Sequence, residues 1–233
     1  MKICVIGIPG INLGKCNIKD PRLDEADRLV EAKKKTYVQV DVVGEEEVQD
    51  ADAVLVHADR QPDLILQDLE FVETRLGREP QPGELSALQK FKVRLESEQV
   101  LYGADLTPEE SEATAAYRFA TNKPITIAKP ADLEDLDALM VRAYQQSDYI
   151  SFLTVGGKEN RAWPVRKGLT AWEAAGAIHT DIQKGFIRAE IISFEDFSSN
   201  GGETQAKRAG KQRLETKQYI MQDYDVVNFR FSK

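Results

Sequence analysis

Four short apolar runs in the first 128 residues of this 233-residue chain constrain its fold most. Ile3-Cys4-Val5-Ile6 is unbroken and rich in β-branched residues, the form of a central parallel strand buried on both faces. Tyr37 to Asp41, Asp52 to His57 and Asn122 to Ala128 read as three further strands. Helical patterns separate them. Ile65, Leu69, Val72 and Leu76 form one apolar stripe within residues 63–76, and Leu85, Leu88, Phe91 and Leu95 form a second, with Gly77, Pro80 and Pro82 breaking the chain between the two. Thr107-Pro108-Glu109-Glu110 is a capping box that opens a helix to about Ala120. Asp132 is placed to cap a helix carrying Leu133, Leu136, Leu139, Met140 and Tyr144 on one face. Strands alternating with helices predict an α/β layer with a parallel sheet over residues 1–148.

The remaining residues, 149–233, change character. Ser151 to Val155 and Arg161 to Arg166 read as strands around a Gly156-Gly157 turn, and Thr170 caps a helix over Ala171 to Ile178. Phe186 to Phe194 reads as a long strand, Ile220-Met221 as the end of another, and Val226 to Phe231 as the last. A helix with Lys207, Arg208, Lys211 and Arg213 falls between them. A mixed sheet wrapped around one helix is the β-grasp arrangement.

The composition, 42% hydrophobic and 30% charged, is that of a soluble globular protein, and no apolar run approaches the ~20 residues of a membrane span. The opening Met1 to Gly7 is too short for a signal peptide, and Cys4 and Cys16 make no disulfide framework, so the expected compartment is the cytoplasm. The net charge of −8 is unevenly spread: residues 1–148 carry 18 Lys/Arg against 29 Asp/Glu, and residues 149–233 carry 13 against 10. An acidic body argues against DNA binding, whereas the C-terminal part is compatible with a phosphate backbone.

The segment Ala177-Ile178-His179-Thr180-Asp181-Ile182-Gln183-Lys184-Gly185-Phe186-Ile187-Arg188-Ala189-Glu190 resembles the TGS domain of the YchF/Obg-like ATPases, whose signature reads IHTDFxxGFIRAE. Arg161-Ala162-Trp163, Gln222-Asp223 and Phe229-Arg230-Phe231 fit the same pattern, so the resemblance covers about a third of the chain. It extends upstream in pieces. Gly7 to Cys16 resembles a Walker A loop, with Asn12-Leu13-Gly14-Lys15 similar to the second half of G-x-P-N-V-G-K-[ST]. Six residues rather than four separate Gly7 from Gly14, and Cys16 stands where a hydroxyl holds magnesium, a hard ion poorly served by a soft thiol. Asp20-Pro21-Arg22-Leu23-Asp24 matches a family segment that lies beyond the first helix and first switch, implying a deletion of that region. Asp41-Val42-Val43-Gly44 fits D-x-x-G, but Glu45-Glu46-Glu47 follows it, and Ala128-Lys129-Pro130-Ala131 replaces the base-reading N-x-x-E. The paired helices over about 63–102 resemble, in shortened form, the family's helical arm.

The expectation is therefore a reduced P-loop NTPase-like domain over residues 1–148 and a TGS β-grasp domain over 149–233. The resemblance implies a non-hydrolysing regulatory module linked to translation, with RNA or a ribosome-associated partner and no membrane. Vestigial nucleotide-binding positions would be Gly7, Asn12, Gly14, Lys15, Cys16, Asp41 and Gly44. The candidate RNA or partner contacts are Lys184, Arg188, Lys207, Arg208, Lys211 and Arg213, which equally describe a solvated face. Residual binding of ATP or GTP with magnesium, and an adaptor role without RNA, are the alternatives. His57 reads as a satisfied strand-end histidine, His179-Thr180-Asp181 as a hydrogen-bonded turn after a helix, and Trp163 and Trp172 as core. The oligomeric state is open.

Overall fold

The computed structural model describes residues 1–232. The chain forms two compact units, residues 1–16 with 40–147 and residues 17–39 with those from 148 onward. A single division at 148/149 therefore differs from the structure in one segment: residues 17–39 cluster with the C-terminal part.

In chain order the first elements are β1 (Lys2–Ile6), β2 (Gly14–Ile18), α1 (Pro21–Leu29), β3 (Lys35–Thr36), β4 (Val38–Val43) and β5 (Ala53–His57). They are followed by α2 (Gln61–Leu76), α3 (Pro82–Glu96), α4 (Pro108–Thr114), β6 (Ile125–Ala128) and α5 (Leu136–Gln145). One sheet has the order β2-β4-β1-β5-β6, with β1 parallel to both β4 and β5 and β5 parallel to β6. Ile3, Cys4, Ile6, Val54, Leu55 and Val56 are buried, as continuous apolar strands require. The helices α2 and α3 pack on each other through Ile65, Val72, Leu88, Phe91 and Leu95, joined by Leu101 and Phe119.

Two helix boundaries differ from the sequence reading. The helix begun at Thr107 ends at Thr114, not near 120. The buried Asp68 carboxylate accepts the backbone N–H groups of Ala120 (3.1 Å) and Thr121 (2.8 Å), which holds that stretch out of helix. The α5 cap is Asp135, not Asp132, whose carboxylate instead accepts from Lys129 N (2.7 Å) and from Arg142 (2.8 and 2.9 Å).

The second unit adds β7 (Tyr149–Thr154), β8 (Asn160–Arg166), α6 (Ala171–Ile178), α7 (Thr180–Lys184) and β9 (Phe186–Ile192), then α8 (Phe194–Ser199), α9 (Glu203–Arg208), β10 (Arg213–Glu215) and β11 (Asp225–Phe231). Its sheet order is β10-β9-β11-β7-β8-β3, mixed because β11 runs parallel to β7 but antiparallel to β9. Ala171, Ala174 and Ala175 of α6 pack on Phe152, Val165, Ile191 and Val227. Small residues on that helix let it lie close to the strands. Trp163 belongs to this core, stacked on Phe152 with its indole N–H donated to Thr154 Oγ1 at 2.9 Å, but Trp172 is exposed, contrary to expectation.

Other C-terminal boundaries also shift. The strand expected to reach Phe194 stops at Ile192, because Ser193 accepts from Asp196 N (3.1 Å) and caps α8. Ile220 makes only an isolated bridge with Thr170. The basic helix expected through Arg213 ends at Arg208, and Arg213 lies on β10.

The segment 17–39 is held by α1, which the sequence reading did not anticipate. Pro21 opens it, and the Asp20 side chain caps it by accepting from Arg22 N at 3.0 Å. The Arg22 guanidinium lies 3.6 Å from the Tyr224 ring centroid and pairs with buried Asp20 and with Asp223, each at 2.8 Å.

The capping box makes a pH prediction. Lys90 Nζ (2.7 Å), Ser86 Oγ (2.6 Å) and Thr107 N (2.8 Å) donate to the Glu110 carboxylate and hold its pKa down to about 2. The unfolded chain returns it to about 4.3, so the unfolded state binds more protons between those values. The contribution is complete above that range and is lost as pH falls toward 2. Urea midpoints of wild type and Glu110→Gln between pH 2 and 6 check this. The variant is expected to be less stable at pH 6 and to lose less on acidification.

Candidate functional site

In an open parallel sheet, ligands bind beyond the carboxyl ends of the strands. Beyond β1 comes Gly7, beyond β4 comes Gly44, and beyond β5 comes a 3₁₀ turn, Ala58–Arg60. Since Ile6 pairs with Val56, Gly7 adjoins the β5 end, and since Cys4 pairs with Val43, Gly44 lies on the other side of β1, level with Val5. Side chains crowd them. A Cβ on Gly7 would sit 2.8 Å from Arg60 Cγ, and a Cβ on Gly44 would sit 2.6 Å from a Glu46 carboxylate oxygen. Arg60 pairs with Glu45 at 3.1 Å and Asp63 at 2.6 Å. Thus Gly7 and Gly44 adjoin an internal ion-pair network. His57 closes the β5 end, its Nδ1 accepting from Asp59 N at 3.3 Å.

The rest of the loop does not turn into a helix. Gly14, Lys15 and Cys16 are the first residues of the edge strand β2, with Gly14 at φ +105°. Their backbone belongs to the ladder with β4. Lys15 Nζ lies 2.6 Å from Asp41 Oδ1, and this hydrogen bond leads the depression of the Asp41 pKa. Asn12 and Leu13 are exposed ahead of the strand. The structure therefore joins Lys15 to Asp41 and places Gly7 against His57 and Arg60, while the β1–β4 register leaves Gly44 level with Val5.

The C-terminal candidates divide by partner. Lys207 pairs with Glu203 at 2.7 Å, Lys211 with Asp196 at 3.0 Å, and Arg213 with Glu215 at 3.6 Å. Lys184, Arg188 and Arg208 are exposed and have no carboxylate partner among the described residues. Lys184 ends α7, and Arg188 lies on β9 directly opposite Arg230. Arg230 was not among the sequence candidates, although it belongs to the Phe229-Arg230-Phe231 pattern. Its guanidinium donates to Glu190, with Nε at 2.8 Å from Oε1, and Asn228 donates to the other carboxylate oxygen at 2.6 Å. His179 links α6 to α7, its Nδ1 accepting from Asp181 N at 3.1 Å, a turn-forming role.

Residues 149–232 match the family model YchF-GTPase_C, described as a protein of unknown function (DUF933). The "Ribosome-binding ATPase YchF" of Bacillus subtilis is 31% identical over an alignment 235 positions long, which covers 73% of this chain and 64% of that protein. The chain thus spans less than two thirds of the length of that curated relative. "Obg-like ATPase 1" of Danio rerio is 52% identical over 81 residues, 35% of this chain and 20% of that protein. Among solved structures, that of the Schizosaccharomyces pombe YchF GTPase aligns with a TM-score of 0.75 at 19% identity, covering 99% of this chain and 97% of that one, and so shares the fold.

The crowding at Gly7 is directly testable. Its φ of +69° is left-handed, so Gly7→Ala is expected to cost about 1–2 kcal/mol for the backbone, plus displacement of Arg60. Adding the change to an Arg60→Ala background removes the second part only. A double-mutant cycle by urea unfolding should find a smaller Gly7→Ala penalty there, still of about 1 kcal/mol or more.

Proposed function

We propose that this chain, a relative of the YchF family, is a translation-linked binding module that does not hydrolyse nucleotide. It is read as a reduced P-loop-type domain joined to a TGS-like β-grasp domain that recognises RNA or a ribosome-associated partner in the cytoplasm. The observation that carries the first half is β2: the stretch matching the second half of a phosphate loop is an edge strand. A working loop points free backbone N–H groups and a helix N-terminus at the phosphates. Here the corresponding backbone lies in a sheet ladder, Lys15 is paired with Asp41, and Arg60 is packed over Gly7.

Magnesium fares no better. Cys16 offers a thiol in place of a hydroxyl, and Asp41 is engaged by a lysine. Beside Gly44, Glu45 is paired with Arg60 and Glu47 with Lys2, and the Glu46 carboxylate lies where it would repel a triphosphate. Phosphoryl transfer depends on several parts being positioned together, and these residues do not fit a magnesium–triphosphate complex.

The second half rests on kinship and charge. The matched relatives include proteins named ribosome-binding, and the C-terminal part of this chain is the basic one. The mixed order β9-β11-β7-β8 packed on α6 supports a β-grasp. The alignment with the Bacillus relative is 235 positions long but covers only 73% of this chain, which supports the loss of internal segments here.

Titration calorimetry with Mg–ATP and Mg–GTP tests the first half. Affinity weaker than about 1 mM, unchanged in Lys15→Ala, is the expected result. Micromolar binding, or phosphate release, that disappears in Lys15→Ala would refute it. For the second half, the protein should co-sediment with ribosomes at low salt and leave them as salt rises. Absence from the ribosomal pellet at every salt concentration would leave the adaptor alternative.

A further inference from the structure

The reading above assigns recognition to the C-terminal unit without locating it. Lys207, Lys211 and Arg213 each already have a carboxylate with which an incoming phosphate would compete, and Arg230 is engaged by Glu190. The unit holds further cations from earlier in the chain. Residues 17–39 belong to it, and they bring the run Lys33-Lys34-Lys35 with them.

Strand β3 fixes where that run lies. It pairs in parallel with β8, Lys35 beside Asn160 and Thr36 beside Arg161, and Asn160 N donates to the Lys34 carbonyl at 2.8 Å. Alternation then sorts the side chains. Lys35 and Asn160 face α1, where they bond Asp24 (2.5 Å) and Asp27 (2.6 Å). Thr36, Arg161 and Trp163 take the opposite face, and contacts place Lys34 and Glu159 with them. Thr36 Oγ1 donates to Glu159, and Lys34 Nζ (3.0 Å) and Arg161 (3.8 Å) approach the same carboxylate. The Arg161 guanidinium lies 3.9 Å from the Trp163 ring centroid.

Lys33 precedes Lys34, and Lys158 precedes Glu159. Both are exposed and have no carboxylate partner among the described residues. Four cations therefore stand at this corner of the sheet, where the one paired carboxylate is Glu159. Lysine on an edge strand also discourages pairing with another sheet, but that purpose needs no arginine laid on an indole. An acidic peptide would use the charges alone. Arg161, its side chain 38% exposed, adds a planar group held in place by Trp163 and Glu159. Single-stranded RNA uses both features, phosphates on cations and a base stacked on a guanidinium plane.

We propose that the β3–β8 edge, with Lys33, Lys158 and Arg161, is a binding surface for single-stranded RNA. Lys33 and Lys158 each meet a phosphate, and a base stacks on Arg161. Glu159 and Trp163 are positioning residues for that guanidinium. The inference rests on the reading of the C-terminal unit as the recognition module.

The test is fluorescence anisotropy of the full chain with a labelled 12-nucleotide oligo(U), from 25 to 200 mM salt. Lys33→Gln/Lys158→Gln should weaken binding at least tenfold at low salt and lower the log–log salt slope by about 1.4, two phosphates at about 0.7 each. Arg161→Lys keeps the charge and removes the plane, so it should weaken binding roughly tenfold at an unchanged slope. Lys207→Gln/Lys211→Gln should stay within about twofold of wild type. Circular dichroism melting of each variant separates lost binding from lost fold. If wild type binds and Lys33→Gln/Lys158→Gln binds equally well, the location is wrong while RNA recognition stands. If Arg161→Lys binds as wild type does, no base stacks there and the inference is overturned. If oligo(U) does not bind at 25 mM salt, the inference and the RNA reading both fall. If a 12-residue oligoglutamate displaces the RNA at lower concentration than unlabelled oligo(U), the surface is for an acidic protein and the inference is overturned.

Discussion

The direction in which backbone N–H groups point is the constraint that governs the N-terminal unit. Phosphate loops work because successive amides converge on the ligand. From Gly14 to Ile18 this chain places that backbone in a strand at the edge of the sheet beside β4, where amides point alternately toward the neighbouring strand and away from it rather than converging. The side chains follow from the backbone. Lys15, held extended on β2, finds the Asp41 carboxylate of the neighbouring strand, 2.6 Å away. An exposed pair of this kind contributes little to stability. What matters is that neither residue is presented to a ligand by a helix terminus.

The strand core was legible in the sequence because a parallel strand buried on both faces has no polar alternation to obscure it. Ile3 to Ile6 and Ala53 to Val56 announce themselves by being apolar throughout. Local caps were legible for a similar reason. Thr107 with Glu110 and Thr170 with Glu173 carry their partners three residues away, and both boxes form. Where the deciding partner is distant, pattern reading stops short. Asp68 fixes the backbone at Ala120 from 52 residues upstream, and nothing in the local sequence signals it.

The site divides along the same line. That the loop after β1 lacks a following helix is visible in Asn17 to Pro21, but its conversion into an edge strand depends on pairing with β4. Of four basic residues read as one helical face, Lys207 makes an i,i+4 pair on α9, Lys211 pairs across elements with Asp196, Arg213 lies on a strand, and Arg208 ends α9 exposed. Arg22 shows the opposite case, a motif residue whose worth is structural. Its guanidinium is used on Asp20, Asp223 and the Tyr224 ring, all within one unit. The family resemblance of Asp20 to Asp24 therefore has a physical basis that is independent of nucleotide.

The distinction between satisfied and unsatisfied charge is sharper than any count of cations. Residues 149–233 hold 13 Lys/Arg against 10 Asp/Glu, a surplus too small to identify a surface by itself. Pairing resolves it. Glu203, Asp196 and Glu215 neutralise Lys207, Lys211 and Arg213 locally. At the β3–β8 edge the geometry works the other way, because strand register sets Lys34 and Arg161 on one carboxylate, and Lys33 and Lys158 stand beside them without one among the described residues. A register shift of one residue in β8 would move Arg161 to the other face and Val165 off α6, so the hydrophobic core itself maintains the arrangement. The same burial of Phe152, Val165 and Ala171 that stabilises the sheet thus fixes an excess of positive charge at its edge.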